Sequence, residues 1–511
     1  MRNESPRRPI LSRRDALAGG SAAALAATMA SAPAAEGSTV RVAYPAAAAT
    51  LDPAKMRVGG LDYNYARGVF SRLTAQDDIT QVLPDLATSW EATEDLKTWI
   101  FHLRPGVKFH DGKPLDAADV VFTYNRLLDP AIGSVLRASL GAVGKVEAVD
   151  PLTVKFTMKV PYADMPAVAA GYQAQIVSEA HVATLTTKPI GTGPFRFVEY
   201  RPGDQLVLEK NPDYFLPGVP KIDRAILRVI PEFTTAVAGL ESGSVEIVYD
   251  LPPEQQDQLK NSSVARVDAV TSGHWGGIIF NNEFKPSDDP RVREALIKLV
   301  DRQALTDIAT FGYGIPTVTP IPPNHPFFRK DLLTPPDVAG AKKLLAAAGL
   351  SKGFPIEMYL GGSDPTAERL ATAFRDSAKQ LGIAVSLRIV PPDKFFAEME
   401  GKVPFNIDGF FGRSTPDLMT YAWYHSSGSW NNTLWHYKNA EVDKLLDTAR
   451  STTDKAEQAK LYGRFQEIVA KDGPGCLVFV KNFACGVSKK VQGFKSSPLM
   501  WADVSHVTIS A

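Results

Sequence analysis

Hydrophobic and polar residues alternate in KTWIFHLRPGVKFHDG (97–112), with turn residues at Pro105-Gly106 and Asp111-Gly112. This pattern predicts paired strands. The next stretch, LDAADVVFTYNRLL (115–128), carries an apolar face from Val120 to Leu128 and predicts a helix with Asp116 as N-cap and Asp119 three residues on. A further hairpin is expected over 146–159. Together these elements indicate a strand-and-helix subdomain.

Beyond residue 195 the pattern returns to strands. Three alternating stretches precede a predicted helix near 233–242, and a strand follows it at 244–250. Asp289 with Pro290 predicts a helix start, and Asp301 predicts the next one. The three strand stretches read FRFVEY (195–200), QLVLEK (205–210) and RAILRVI (224–230).

Strands and helices alternate most clearly between residues 337 and 425. This order is typical of βαβ units and a parallel sheet. Ligands of such sheets bind beyond the carboxyl ends of the strands. The segment GRSTPD (412–417) occupies that position after the last strand and is therefore a candidate site. The predicted elements are helix 337–348, strand 356–361, helix 365–380, strand 384–390, helix 392–400 and strand 405–412.

Length and charge narrow the class of protein. A chain of 511 residues exceeds one compact core, so two lobes or three subdomains are expected. The formal net charge is zero, which argues against a nucleic-acid-binding protein, for which a basic excess is typical.

The first 35 residues predict an export signal that is removed. A cationic start precedes a mildly apolar Ala/Gly run, and Ala32-Pro33-Ala34 offers a cleavage site. Ser12-Arg13-Arg14-Asp15-Ala16-Leu17 resembles a twin-arginine signal, although an ordinary secretory signal remains an alternative. The run is too short and too weakly apolar for a membrane span. With no cysteine near the cleavage site, we expect a soluble periplasmic protein without a lipid anchor.

The chain has two cysteines, Cys476 and Cys485, in CLVFVKNFAC. They could close a hairpin disulfide in an oxidising compartment, or they could be two buried free thiols in a sheet. The sequence leaves both open.

Searches for chemistry give negative results. The stretch PIGTGPFRF (189–197) lacks the lysine and the following helix of a phosphate-binding loop. The eight histidines show no metal-ligand spacing, and no Gly-x-Ser-x-Gly elbow is present. We therefore expect no catalytic residues, no metal and no cofactor. PIGTGPFRF is interpreted instead as a turn, with Gly191 and Gly193 permitting it.

Residues 419–437 are unusually aromatic. Each ring could be core packing, but the group lies close in sequence to Arg413 and could form a pocket wall, since binding sites combine apolar walls with few polar groups. The rings belong to Tyr421, Trp423, Tyr424, Trp430, Trp435 and Tyr437.

Several longer motifs now carry a resemblance. The chain is similar to the extracytoplasmic solute-binding proteins of the peptide/opine/nickel family (family 5), which feed ABC importers. The motifs are TLDPAK (50–55), LPDLATSWEATEDLKTWIFHLRPGVKFHDGKPLDAADVVFTYNRL (83–127), PIGTGPFRF, NPDYF (211–215), DDPRVREAL (288–296) and NNTLWHYKNAEVDKLLDTAR (431–450).

The resemblance implies an α/β fold of the periplasmic-binding-protein-like type II, with two lobes that close on a solute about a hinge. It also implies an extra subdomain inserted in the first lobe. The expected boundaries are 36–58, 188–273 and 486–511 for the first lobe, 59–187 for the inserted subdomain and 274–485 for the second lobe.

The resemblance also suggests ligand contacts. Peptide binders of the family carry Gly-Trp-x-Gly-Asp where this chain reads GFFGR (409–413), so Arg413 replaces the aspartate that pairs with a ligand ammonium. A guanidinium prefers carboxylate or phosphate. Arg413 could alternatively be structural, holding Asp417 or a contact between lobes. The predicted ligand-binding residues are Arg413, Phe410, Phe411, Asn431, Trp430, Trp275, Arg57 and Tyr63.

The leading hypothesis is a binding protein that delivers a small peptide-like or carboxylated solute to an ABC permease, and that is itself monomeric. The same fold could bind an opine, an oligosaccharide, haem or a nickel chelate. An exported hydrolase is a third hypothesis, and would need Ser, His and an acid within hydrogen-bonding reach in the cleft.

Overall fold

A computed structural model describes residues 37–57, 59–77, 81–362, 364–391 and 394–510. The predicted export signal at 1–35 lies outside them. Residues Gly37–Ala511 form one compact unit. Within the described residues, no helix has the length and apolar character needed to cross a membrane.

One mixed sheet of eleven strands runs through the unit. Two long neighbouring strands, Ala265–Phe280 and Gly475–Ser488, are antiparallel and occupy its middle. Ile315–Pro316 pairs with the second of them. The order across the sheet is Ala384–Val390, Pro355–Gly361, Phe405–Phe410, Ala265–Phe280, Gly475–Ser488, Ile247–Val248, Thr39–Tyr44, Arg224–Val229, Gln205–Lys210 and Phe195–Arg201.

The parallel pairing expected in the C-terminal half is confirmed. Pro355–Gly361 pairs in parallel with both Ala384–Val390 and Phe405–Phe410. The intervening helix Pro365–Ala378 is capped by Asp364, whose carboxylate accepts from the Thr366 N–H, and Gly382 then turns the chain in the left-handed region. The strand ends of this half therefore meet at one edge, as the pattern predicted.

A separate four-stranded antiparallel sheet confirms the predicted strand-and-helix subdomain. Its order is Ala87–Ala92, Thr98–Leu103, Thr153–Met158 and Val143–Asp150. Helix Ala117–Leu128 packs on it through a core that includes Phe101, Tyr124 and Phe156. Asp116 and Asp119 form a reciprocal capping box at its start, as expected from their spacing.

The remaining elements complete the two sides of the long sheet. Two short ladders join Thr74–Gln76 to Val82–Pro84 and Val491–Gln492 to Thr508–Ile509. The other α-helices are Gly59–Arg67, Met165–Ala169, Phe233–Ser242, Pro253–Leu259, Pro290–Leu299, Arg302–Thr310, Val338–Ala347, Pro416–Tyr424, Ala440–Arg450 and Lys455–Asp472. The single-turn helices are Pro53–Lys55, Val135–Ala138, Glu179–Thr184, Lys330–Leu332, Lys379–Leu381, Phe395–Met399 and Asn431–Trp435.

Separate hydrophobic cores lie along the sheet. Tyr44, Tyr65 and Phe195 belong to one, and Ile278 and Phe374 to another. Since Tyr65 lies on helix Gly59–Arg67, that helix packs with the first-lobe strands although the inserted subdomain was expected to begin at 59. The lobe boundaries themselves remain predictions.

The two cysteines lie in different hydrophobic cores. Cys476 packs beside Ile278 and Cys485 beside Tyr44, and both are free thiols with no exposed surface. They lie on one continuous strand, Gly475–Ser488, so the hairpin needed for a disulfide does not form. The free-thiol alternative is the correct one, because residues nine apart on one extended strand are too distant for an S–S bond.

The structure corrects the reason predicted for the two glycines of PIGTGPFRF. A Cβ on Gly191 would lie 2.1 Å from the Val69 carbonyl oxygen, and one on Gly193 would lie 2.6 Å from the Gly68 carbonyl oxygen. Neither glycine has a positive φ. They permit close backbone approach rather than an unusual turn.

Candidate functional site

Arg413 lines a cavity just beyond the carboxyl end of strand Phe405–Phe410. The cavity has a volume of about 60 Å³, below the roughly 300–1,000 Å³ usual for small-molecule sites. Six stretches far apart in sequence supply its walls. Its lining includes Tyr63, Gln76, Leu136, Ser139, Tyr172, Gln173, Phe411, Gly412, Arg413, Ser414, Leu418, Leu499 and Trp501.

The Arg413 backbone is held by a close contact between two strands. A Cβ on Gly412 would lie 2.4 Å from the Gly273 Cα, so only glycine fits there. Gly273 itself sits where the long strand Ala265–Phe280 shifts register, between Thr271 and Trp275. The position of Arg413 is thus tied to the middle of the large sheet.

Among the described residues, the Arg413 guanidinium hydrogen-bonds only to backbone carbonyls. Its Nη1 donates to the Phe411 carbonyl at 2.9 Å and to the Gly412 carbonyl at 3.2 Å. Its Cζ lies 5.9 Å from the centre of the Tyr172 ring. It forms no ion pair with any carboxylate among the described residues. A planar cation with free N–H groups fits a carboxylate or phosphate.

Arg413 does not hold Asp417, which was one of its two structural alternatives. The Asp417 carboxylate accepts from the Tyr162 hydroxyl at 3.0 Å and from Arg450 Nη2 at 3.2 Å. These partners, rather than Arg413, satisfy the charge that the alternative assigned to it.

Three aromatic rings form the cavity wall opposite Arg413. Tyr63 and Trp501 lie with their ring centres 5.3 Å apart, and Tyr172 meets Tyr63 edge-on at 5.7 Å. Tyr63 was expected from the sequence, whereas Tyr172 and Trp501 were not. Such rings give a ligand apolar contact area at low entropic cost.

A second cavity lies on the other side of Phe411. It has a volume of about 160 Å³ and is lined by His274, Asp364, Phe395, Phe396, Asp408 and Lys481 among others. The His274 ring packs on Phe411 at 4.6 Å, so these two rings separate the cavities. Lys481 Nζ lies 3.1 Å from the Asp364 carboxylate, which leaves the charges of this cavity mostly paired.

Burial controls the titratable groups of this second cavity. It lowers the pKa of His274 to about 3, assisted by the Lys481 and Arg413 charges, so the imidazole is neutral. Burial also raises the pKa of Asp408, and the neighbouring Glu400 carboxyl adds to that rise. Asp408 Oδ2 and His274 Nδ1 are buried without a hydrogen-bond partner among the described residues. Both atoms could meet a polar ligand group.

The structure places other predicted residues away from the Arg413 cavity. Phe410 and Trp275 pack against each other at 5.2 Å in a buried aromatic core, although Phe410 is the immediate neighbour of Phe411. Asn431 is fully buried; its amide donates to the His425 and Tyr437 carbonyls and accepts from the Tyr437 N–H. The Asn431 side chain therefore already forms its hydrogen bonds with the backbone of its own turn.

Trp430 and Arg57 lie by a wider groove. The groove has a volume of about 850 Å³ and lies between residues 128–144 and 421–433. Trp430 lines it and stacks on Trp423, with ring centres 5.3 Å apart. Arg57 is exposed, and its Nη2 lies 3.9 Å from where a Gly133 Cβ would be. That the predicted residues contact a ligand remains a prediction.

Ser427, His425 and Asp447 meet the distances of a hydrolase triad but not its arrangement. Ser427 Oγ lies 2.7 Å from His425 Nδ1, and His425 Nε2 lies 3.4 Å from Asp447 Oδ2. The Ser427 backbone N–H also donates to the same Nδ1 at 3.0 Å. His425 Nδ1 therefore accepts from the Ser427 backbone N–H in a short turn. Its lone pair is shared between this N–H and the hydroxyl, so it is poorly placed to take the hydroxyl proton.

Metal ligation finds no support either. Within the described ranges, no group of three or more His, Cys, Asp or Glu side chains could hold a metal ion.

Comparisons with known proteins show which family this chain resembles. Residues 81–432 match the family described as bacterial extracellular solute-binding proteins, family 5 (middle). The glutathione-binding protein GsiB of Pectobacterium atrosepticum is 30% identical over 93% of this chain and 95% of its own. GsiB of Escherichia coli K12 is 29% identical over 88% of this chain and 90% of its own.

Solved structures share the fold. The binding protein AgaA from A. tumefaciens R10, in complex with agropinic acid, has a TM-score of 0.81 at 26% identity, covering 93% of this chain and 99% of its own. DppA from Helicobacter pylori, in complex with the peptide STSA, also scores 0.81, at 24% identity with coverage of 93% and 98%. At that identity the second likeness concerns the fold alone.

Proposed function

We propose a ligand class for this chain, which belongs to the bacterial extracellular solute-binding proteins of family 5, the binding proteins of ABC importers. The ligand is a small peptide-like or carboxylated solute, and its negative group binds Arg413. The single observation that carries this proposal is a guanidinium without an ion pair among the described residues, facing an aromatic cavity.

Charge and shape both support this class. A carboxylate can take a bidentate pair of hydrogen bonds from a guanidinium, while Tyr63, Tyr172 and Trp501 cover the apolar part of the solute. The ammonium that peptide binders of the family pair with an aspartate would instead be repelled at Arg413.

Two relatives point to the same chemistry. GsiB is named for glutathione, a tripeptide with two carboxylates, and AgaA was solved with agropinic acid. Glutathione is therefore a natural first probe. An opine remains an alternative within the same cavity, since it is also carboxylated; haem, a nickel chelate or an oligosaccharide is less well matched to one free guanidinium.

The cellular setting follows from the family. We propose that the chain is exported to the periplasm, works as a monomer and passes its ligand to an ABC permease. Ligand binding would favour a closed arrangement of the lobes by binding that state more tightly. X-ray scattering with and without ligand measures this directly, and an unchanged radius of gyration at saturation contradicts it.

The ligand class is tested by native mass spectrometry followed by calorimetry. The mass of any solute retained from the native cells identifies candidates, and glutathione serves as the defined probe. Arg413→Asp should weaken binding of a carboxylated solute by at least about a hundredfold, since a charge-assisted pair is lost and a repulsion replaces it. Arg413→Lys should retain part of the affinity because the charge remains.

A matched control is Arg137→Asp. Arg137 also lacks an ion pair among the described residues, but lines the wider groove rather than the Arg413 cavity. Equal losses in Arg137→Asp and Arg413→Asp would mean that overall charge, not the site, governs binding. Unchanged affinity in Arg413→Asp would remove Arg413 from the site.

A further inference from the structure

A polar cavity lies behind the aromatic wall of the Arg413 cavity. It has a volume of about 140 Å³, and we call it the inner cavity. Its lining includes Arg67, Arg72, Asp85, Gln175, Tyr214 and Asp503.

The two cavities share their walls segment by segment. In four places, residues one to four positions apart in the sequence face opposite cavities, so only a single layer of side chains separates the two spaces. The pairs, with the Arg413-cavity residue first, are Tyr63 and Arg67, Gln76 and Ala75, Gln173 and Gln175, and Trp501 and Asp503.

Two cations fix the aromatic part of that layer from behind. Arg67 Cζ lies 4.5 Å from the Trp501 ring centre, and Arg72 Cζ lies 5.5 Å from the Tyr63 ring centre. Arg67 is anchored by Asp503 at 2.8 Å and Arg72 by the Ala170 carbonyl at 2.7 Å. Cation–π contact of this kind stabilises the ring positions when the cation is itself held.

The inner cavity offers unfilled hydrogen-bonding groups. Both amide atoms of Gln175 are buried without a partner among the described residues, and the residue is 1% exposed. Burial raises the pKa of Asp85 even though Arg72 and its N–H oppose that rise. A buried amide with free donor and acceptor can bind either kind of polar group.

We propose that Tyr63 and Trp501 are specificity-determining residues that limit ligand length, by closing the Arg413 cavity against a preformed polar inner cavity. Trp501 is the decisive member, since its indole stands between Arg67 and the ligand space. Removing the indole joins the cavities and lets the polar end of a longer peptide-like solute reach Gln175. This inference rests on the proposed function for its ligand, but the wall itself can be tested without one.

The wall is tested by thiol accessibility. Gln175→Cys places a thiol in the inner cavity, and the native Cys476 and Cys485 have no exposed surface. A small charged methanethiosulfonate reagent should label this thiol at least about tenfold faster when Trp501→Ala is added, and at the original rate when Trp501→Phe is added. Trp501→Leu serves if the alanine variant does not fold. Equal labelling rates with and without the indole would show that Trp501 does not separate the two cavities.

Ligand length is tested by calorimetry with trialanine and pentaalanine. Trp501→Ala should shift the ratio of the two affinities by about tenfold or more toward pentaalanine, because the gain concerns only the longer peptide. An equal loss for both peptides would overturn the proposal, since Trp501 would then supply contact area alone. If the wild type binds neither these peptides nor glutathione, the proposed ligand class fails, while the labelling rates still decide the wall.

Discussion

Arg413 and Arg450 are two arginines in the same half of the molecule with opposite surroundings. Among the described residues, Arg413 donates to two backbone carbonyls, lies 5.9 Å from the Tyr172 ring centre and forms no ion pair. Arg450 pairs with the buried Asp417, and its Cζ lies 3.4 Å from the Tyr421 ring centre. A charge whose partners are supplied by the fold contributes to structure; a charge that lacks one at a cavity is available to a ligand.

Arg450 also joins the four-stranded subdomain to the helices beyond residue 416. Its carbonyl accepts from the Ala163 N–H at 2.8 Å, and its partner Asp417 accepts from the Tyr162 hydroxyl. The cluster of Tyr162, Asp417 and Arg450 is therefore a structural bridge between these two regions.

The largest effect is expected from Arg450→Leu. This change leaves Asp417 buried and without its cation, which should lower the free energy of unfolding by about 3–5 kcal/mol. Arg413→Leu should leave that free energy almost unchanged while weakening ligand binding. Urea denaturation of both variants measures the contrast, and similar destabilisation by the two would erase the distinction between them.

The sequence predicted part of the cavity lining. Arg413 follows a strand whose period and neighbours were legible, so the rule for carboxyl strand ends located it, whereas Phe411 was expected through the resemblance in GFFGR. Tyr172 and Trp501 lie in irregular segments about 240 and 90 residues from Arg413, as the sequence numbering gives. No local period marks such residues, and only the tertiary fold brings them together.

Asn431 shows the converse limit. The resemblance suggested a ligand contact, yet its amide fills the hydrogen bonds of its own turn. An asparagine in a sequence does not reveal whether its partner is a ligand or the backbone, because both offer the same donors and acceptors. The cysteines were undecided for a related reason, since pairing depends on whether the strand turns.

A smaller effect concerns pH at the bridge. Burial raises the pKa of Asp164 to about 6 from an ordinary 3.8, and the Asp417 charge adds to that rise. The pKa of Asp164 is higher in the folded state than in the unfolded state, so protonation of Asp164 stabilises the folded protein. This stabilisation is lost as pH rises from about 4 through about 6.

Asp164→Asn imitates the protonated carboxyl and isolates this group. At pH 7.5 the variant should be more stable than the wild type by about 1–2 kcal/mol, and near pH 4 the two should agree. Thermal unfolding across this range gives the difference, in which other titrating groups cancel. A difference that does not change with pH would exclude Asp164 as the titrating group.

Tyr162→Phe should have the smallest effect on the free energy of unfolding. It removes a single hydrogen bond of the bridge. The hydroxyl donates to Asp417 Oδ2 at 3.0 Å, while Arg450 remains to satisfy the same carboxylate. Losing one of two partners should therefore cost about 1 kcal/mol in the free energy of unfolding. In the Arg450→Leu background the same change should cost more, because the hydroxyl is then the last of these two partners of Asp417. Equal costs in both backgrounds, measured as a double-mutant cycle, would show that Tyr162 and Arg450 act independently rather than as one bridge.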